Sequence, residues 1–254
     1  MSENPVAVRR LDLGYFVRPA AEAAEPHPRV EPAYGYLVRR PEGLLLFDTG
    51  IGEVDPETEA HYRPVRRPVE AALAAAGIGL GEISLVVNCH LHFDHCGGNP
   101  ALSGRPVVVQ RTELAVAREP GHTIPELVDF AGARYEELDG EAEIWPGVWV
   151  IPTPGHTVGH QSLVLRAPDG TVVLAGQAHD FAFRYGSALL ALRAARDGAA
   201  DPLPPVPEWM PRLLDLDPAR VLFAHDGAVW EPTAPPRRSF PGGVATTAPG
   251  DTAS

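Results

Sequence analysis

The chain has 254 residues, 44% of them hydrophobic, which is enough for one large domain with a real core and gives no reason to require two. Thirty-three acidic residues against 21 basic ones, all arginine, leave a net charge of −12. The arginine pairs at 9–10, 39–40, 66–67 and 237–238 are scattered, so nucleic acid is not an expected partner. No apolar run approaches a membrane span, and residues 1–10 are polar and mixed rather than a secretory leader, so a cytoplasmic protein without membrane contact is the expectation.

In chain order, an apolar stretch over 11–17 predicts an edge strand, and 34–38 with 44–47 predict two strands joined by a hairpin-like turn. A loop over 49–64 follows, long enough to cover a site, and then an alanine-rich helix over 68–76 stopped by Gly77. Strands are expected at 85–89 and 106–110, a helix at 111–118, and an irregular polar segment over 119–140. Hairpins are expected over 144–151 and between 162–165 and 171–174, helices over 181–196 and 209–216, and a last core strand at 221–224. From 232 onward Pro, Gly, Thr and Ser dominate, so a single domain over 1–231 and a disordered tail over 232–254 are expected. Hairpins in two groups, each followed by helix, point to a layered α/β or α+β domain.

The run His90-Leu-His92-Phe-Asp94-His95 at the end of an apolar strand carries the functional signal. Neutral imidazole and ionised carboxylate are the usual ligands of a borderline-soft divalent metal such as zinc. In extended chain His90 and His92 would point the same way, with Asp94 continuing that face. His95 would face away unless the backbone turned there, and Cys-Gly-Gly-Asn-Pro follows as a turn signal. The outline is a dinuclear site with one ligand set on each side of a bend. A chance histidine cluster on a loop is the alternative. Cys89 and Cys96 flank the run and are expected as packing residues rather than ligands or a disulfide.

The segment "NCHLHFDHCGGN" resembles the His-x-His-x-Asp-His signature of the metallo-β-lactamase superfamily. "LLLFDTG" (44–50), "IPTPGHTVGHQS" (151–162) and "VLFAHD" (221–226) resemble its other motif segments in order and spacing. The similarity covers about residues 30–230, and within the superfamily the wording is most similar to the N-acyl homoserine lactonase group. The resemblance implies a four-layer αβ/βα sandwich of the α+β class, with the site at the edge between two sheets. It also implies His90, His92 and His156 around one zinc ion, Asp94, His95 and His225 around a second, and Asp48 as a carboxylate orienting a ligand histidine. His160 is expected as a buried hydrogen-bonding partner behind the ligands, and His61 and His122 as solvated loop residues.

One departure stands out. The family places a metal-bridging aspartate after the strand ending at Gly176, and this chain has Gln177, whose neutral amide is a poorer bridge between dications. The second ion is therefore expected to bind more weakly. Where lactonases of the group tend to have a tyrosine, the chain has Asp180. Either Asp180 or His179 restores charge or serves as general acid, or both are ordinary helix-start residues. The expected activity is hydrolysis of a lactone, with acyl homoserine lactone as the leading small-molecule substrate and hence a quorum-quenching role. Water activated by the metal is the nucleophile, and Asp94 and Asp180 are the expected catalytic carboxylates. A thioesterase or other ester hydrolase, and a weakly active metal-binding protein, are the alternatives. The resemblance also makes a homodimer an expectation.

Overall fold

The computed structural model describes residues 7–23, 25–199 and 203–232. Seven strands form one sheet: β1 (Ala7–Arg18), β2 (Arg29–Arg40), β3 (Gly43–Phe47), β4 (Val65–Arg66), β5 (Ile83–Val87), β6 (Val107–Gln110) and β7 (Tyr135–Leu138), in the order β4-β1-β2-β3-β5-β6-β7. Five form the other: β8 (Ala142–Trp145), β9 (Val148–Pro152), β10 (Gln161–Ala167), β11 (Gly170–Leu174) and β12 (Pro218–Leu222), in the order β12-β11-β10-β9-β8.

The apolar runs explain how the sheets stack. Side chains alternate faces along a strand, so an unbroken run such as Leu44-Leu-Leu-Phe47 fills two cores at once. Leu45 and Phe47, with Leu85 and Val87, meet Val150, Leu163, Leu165 and Leu174 of the second sheet. Leu44, Leu46 and Val86 face the other way, onto Val69, Ala72 and Leu73 of helix α3 (Val69–Ala75) and Leu114 of α4 (Arg111–Ala117). Behind the second sheet, Val164, Val173 and Val221 pack on Tyr185 and Leu189 of α6 (Ala182–Arg196) and Leu213 of α7 (Met210–Leu214). The result is the expected four-layer αβ/βα sandwich of α+β class. Among the described residues no helix is long and apolar enough to cross a membrane.

Several local expectations need correction. β1 is not an edge strand, because two residues of β4 pair outside it at Gly14 and Tyr15. The segment 49–64 contains α2 (Pro56–Tyr62), whose start follows from Asp55: its side chain accepts from the Glu57 and Thr58 N–H groups, with Pro56 opening the helix. The polar stretch 119–140 contains a short helix, α5 (Pro125–Val128), and β7, which pairs in parallel with β6. One further turn of helix, α1 (Ala20–Ala23), was not anticipated. Apart from Pro232, the expected tail lies outside the described residues.

Parallel pairing positions the site. β3 and β5 run in parallel, as do β11 and β12, so their C-terminal ends deliver Asp48, the histidine run, Gln177 and His225 to one rim. The chain crosses itself closely there: a side-chain carbon on Gly97 would lie 1.8 Å from the Gly52 nitrogen, so neither loop could approach the other with a larger residue at 97.

Candidate metal centre

β5 ends at Val87, so the histidine run is a loop rather than an extended strand. The alternation expected for His90, His92 and Asp94 therefore does not operate. The His95 and Cys96 N–H groups both return to the His92 carbonyl, at 3.0 and 3.1 Å, which makes the bend. The His95 carbonyl then accepts from Thr49 N (2.7 Å), Thr49 Oγ1 (3.1 Å) and Asn88 Nδ2 (3.0 Å). Buried backbone oxygens held this way leave the loop little freedom.

That loop and two others bring six donor groups into two adjoining clusters. His90 Nε2 lies 3.0 Å from His92 Nδ1, which lies 3.1 Å from His156 Nε2. His95 Nε2 lies 3.2 Å from His225 Nε2, and Asp94 Oδ2 stands 3.4 Å from each of them. The His90 and His95 rings, 4.1 Å apart between centroids, join the clusters. A tetrahedral zinc ion with nitrogen ligands at about 2.0–2.1 Å separates its donors by about 3.3 Å, so both clusters have the span such an ion requires.

The tautomers strengthen that fit. His225 Nδ1–H donates to the Pro32 carbonyl at 2.8 Å, and His95 Nδ1–H to Asp48 Oδ2 at 3.0 Å. Each ring is left with a lone pair on Nε2, and the two lone pairs face one another. Only a cation or a proton between them relieves that repulsion. Burial opposes charging of His95, yet Cys89, Asp94 and Asp48 around it push its pKa well above the ordinary value. Asp94 is held far below the usual carboxylate range: burial works against this, and His95, His225 and His92 outweigh it. In the other cluster burial and the neighbouring rings lower His90 strongly, and burial brings His92 to about 4 and His156 to about 3. Those imidazoles are neutral at neutral pH, the state in which they bind metal.

Asp48 has a left-handed backbone (φ 61°), uncommon for a residue other than glycine. From there its carboxylate accepts the Cys89 N–H at 2.8 Å while holding His95, so one side chain fixes both ends of the histidine loop. His160 accepts the Gln177 N–H on Nε2 at 3.0 Å and meets Thr153 Oγ1 through Nδ1 at 2.8 Å, which leaves it no lone pair to offer an ion. Both cysteines are buried and unpaired, and burial pushes both thiols up.

Gln177 is buried at the rim, and its side-chain nitrogen donates to Asp180 Oδ1 at 3.1 Å. A carboxylate only accepts here, so the amide nitrogen faces Asp180 and the amide oxygen turns away from it. Asp180 is not a helix cap: the Ala182 N–H at the start of α6 donates to Asp226 Oδ2 instead, at 2.9 Å. Burial would raise the Asp180 carboxyl, but the Gln177 hydrogen bond and the neighbouring His225, Arg18 and Arg184 lower it, so it is ionised. His179 packs against Tyr185 and Trp209 and does not contact the clusters.

Two participants escaped the sequence reading. Glu113 of α4, 1% exposed, accepts the Leu91 N–H at 2.9 Å and the Thr157 hydroxyl at 2.6 Å, tying the loop of His92 to the loop of His156. The fit is close, since a side-chain carbon on Gly159 would lie 2.3 Å from the Glu113 nitrogen. His122 is not a solvated loop residue: its ring lies 4.8 Å from that of His92, and its Nε2 is 3.5 Å from Glu113 Oε1. His61, by contrast, is half exposed and pairs with Glu22 at 2.6 Å. A cavity of about 510 Å³ opens over His92, Asp94, His156 and Gln177, walled by Phe16, Arg18, Tyr62 and Phe93 and by His122 to Ile124. Asp55, Thr58 and Tyr62 put the 49–64 segment on that wall.

The sequence model of the metallo-beta-lactamase superfamily matches residues 28–225. An N-acyl homoserine lactonase of Bacillus cereus is 30% identical over 155 residues, an alignment covering 56% of this chain and 62% of that protein, so the chain spans less than two thirds of its length. Among solved structures, an N-acyl homoserine lactone hydrolase with N-hexanoyl-L-homoserine at its catalytic metal centre superposes with a TM-score of 0.66 at 23% identity, over 87% of this chain and 93% of that one. The dizinc quorum-quenching lactonase AidC gives 0.58 at 16% identity, over 89% of each chain. At these identities the structural likenesses speak for the fold alone. The matched segment holds every residue of the two clusters, and the chain belongs to the metallo-beta-lactamase superfamily.

Proposed function

We propose that the protein is a metal-dependent hydrolase that opens the ring of a lactone, with an N-acyl homoserine lactone as substrate and two zinc ions as cofactor. The observation that carries this reading is the convergence of two three-donor clusters, His90/His92/His156 and Asp94/His95/His225, on the wall of one cavity. Three protein donors with an open side toward solvent are the pattern of a catalytic rather than a structural site. Ions held there supply Lewis acidity, acidifying water toward neutral pH and polarising the carbonyl under attack. The Bacillus cereus relative, a lactonase by name, supports the choice of substrate.

The chain's own groups have distinct tasks in this reaction. Asp48 and the Pro32 carbonyl hold His95 and His225 in the tautomers that present Nε2. Glu113 keeps the loops of His92 and His156 in register. Asp180, ionised and steadied by Gln177, accepts a proton from the attacking water and passes it to the ring oxygen as the carbon–oxygen bond breaks. Gln177, standing where the family resemblance places a bridging aspartate, brings no charge, so two ions held by these clusters would bind with unequal strength. The two unpaired buried cysteines fit a reducing compartment such as the cytoplasm.

The deciding experiment measures ring opening of N-hexanoyl-L-homoserine lactone by chromatography, using zinc-loaded protein beside its His92→Ala/His95→Ala variant, with an acyl thioester in parallel. Lactone opening by the wild type and its loss in the variant support the proposal. Thioester cleavage without lactone opening would replace it by the thioesterase alternative.

A further inference from the structure

Arg18 sits at the end of β1 in the cavity wall, its side chain 17% exposed. Its Nε and Nη2 donate to the two oxygens of Glu31, at 2.7 and 3.0 Å, and Glu31 is completely buried. A bidentate carboxylate holds a planar guanidinium in one orientation. Glu31 does not need Arg18 for neutralisation, because Arg29 already donates to it twice, at 2.9 and 2.6 Å. One carboxylate therefore serves two guanidiniums. Arg29 has a second partner in Glu25 at 2.8 Å. The Nη1 of Arg18 reaches only to 4.0 Å from Glu22, whose oxygens are engaged by His61 and by the Tyr62 hydroxyl. Both N–H donors of Nη1 and one of Nη2 on a fixed cation are thus unspent, and Arg18 is the one arginine lining this cavity among the described residues.

An ion pair that served only to join β1 to β2 would not need to hold its remaining donors on the wall of the cavity over the donor clusters. Resting on the hydrolase reading above, we infer that Arg18 is a specificity-determining residue whose Nη1 donates to an acceptor oxygen carried by the substrate beside the ring being opened, the carbonyl of an N-acyl group. The acyl chain then lies along Phe16, Tyr62 and Phe93. A charge-assisted hydrogen bond to one oxygen corresponds to about tenfold to a hundredfold in kcat/KM. The effect belongs to substrates bearing that oxygen and is absent from plain lactones of similar size.

The test compares N-hexanoyl-L-homoserine lactone with its N-hexyl analogue, in which the carbonyl is a methylene, and with γ-decalactone, on the zinc-loaded protein and on Arg18→Met. The wild type should prefer the acyl over the alkyl compound at least tenfold, a result that depends on no variant. In Arg18→Met that preference should collapse through KM, while γ-decalactone turnover changes less than threefold. Arg29 still pairs Glu31 in this variant, and Arg18→Gln serves as a second if Arg18→Met does not fold. Equal treatment of the acyl and alkyl compounds by the wild type, or an equal loss on all three substrates in the variant, overturns the assignment of Arg18. Failure of the wild type to open any lactone overturns the hydrolase reading instead.

Discussion

Replacing Glu113 by alanine probes whether the two ligand loops are held together by one buried carboxylate. The side chain receives two hydrogen bonds, from Leu91 N–H and from the Thr157 hydroxyl. Hydrogen bonds to a charged buried acceptor contribute about 1.5–3 kcal/mol each, so Glu113→Ala should lose about 3–6 kcal/mol across folding and metal binding together. Glu113→Gln keeps an acceptor for Leu91 and an amide that Thr157 can turn to meet, and should lose about half as much. The loops concerned carry His92 and His156, so part of the loss must appear as weaker metal binding, about tenfold to a hundredfold for a group that orients ligands. Competition with a chelator gives the affinity, the visible bands of the cobalt-substituted protein give the geometry, and thermal melting of the metal-free protein gives the folding share. A lower melting temperature with unchanged affinity and an unchanged cobalt spectrum would mean that Glu113 supports the fold and does not position the ligands.

Gln177→Asp should raise the zinc content of protein purified without added metal toward two ions per chain and narrow the difference between the two affinities; plasma mass spectrometry and calorimetric titration measure both, and unchanged stoichiometry would show the amide to be no impairment. Asp48→Asn should weaken zinc binding about tenfold to a hundredfold, since the amide cannot replace the carboxylate toward His95 and Cys89 together; chelator competition reads this. For the metal-free protein, folded-state values of about 4 for His92 and about 3 for His156 lie below the unfolded value of about 6.5. At these two positions the unfolded chain therefore binds more protons below pH 6.5, so their contribution to stability is complete above pH 6.5 and falls as the pH drops toward 4. His95, raised well above its ordinary value, works in the opposite sense above pH 6.5. Melting temperatures should decline from pH 6.5 to 4, and zinc should suppress the decline.

How much of this was legible in the sequence differs from one element to the next. The strands expected at 44–47, 85–89 and 171–174, found as Gly43–Phe47, Ile83–Val87 and Gly170–Leu174, announced themselves because burial on both faces leaves apolar stretches such as 44–47, 85–87 and 172–174. Four of the six candidate donors were legible in the run itself, because three imidazoles and a carboxylate in six residues have few uses besides a metal, whereas His156 and His225 came only from the resemblance. Helix α2 was missed although Asp55-Pro56 is a start signal, since the segment has no apolar face: none of its residues is buried. β7 was missed for a related reason, its exposed Glu136 and Glu137 giving no alternation to detect. Glu113 and Arg18 were invisible for a different reason. Each reads as an ordinary surface charge on a helix or strand, and only the fold places the partners, Thr157 44 residues away and Glu31 13 residues away, against it. The expected alternation of His90, His92 and Asp94 failed because the strand ends first, and the grouping comes from hydrogen bonds to the His92 and His95 carbonyls.

The charge pattern around the clusters follows one logic. On the proposed reading two divalent ions would bring four positive charges, and among the six candidate donors only Asp94 is anionic. At the position where the family resemblance places a bridging aspartate, the chain carries the neutral, buried Gln177. The remaining negative charge is set one layer out: Asp48 behind His95, Glu113 behind the loops of His92 and His156, and Asp180 behind Gln177. Carboxylates at that distance strengthen imidazole ligands and fix their tautomers without occupying coordination positions. Donor sites facing the cavity are thereby left for substrate, at a cost in affinity for the ion that a bridging carboxylate would have held. Arg18, fixed by Glu31 in the wall of the same cavity, adds a positive charge where the carbonyl of an N-acyl group would lie on the inference above. On the proposed reading such a site would give up some metal affinity for contact with an oxygen-rich substrate, and the paired measurements on Gln177→Asp and Arg18→Met separate those two effects. The first should alter metal content with little change in substrate preference, and the second should do the reverse.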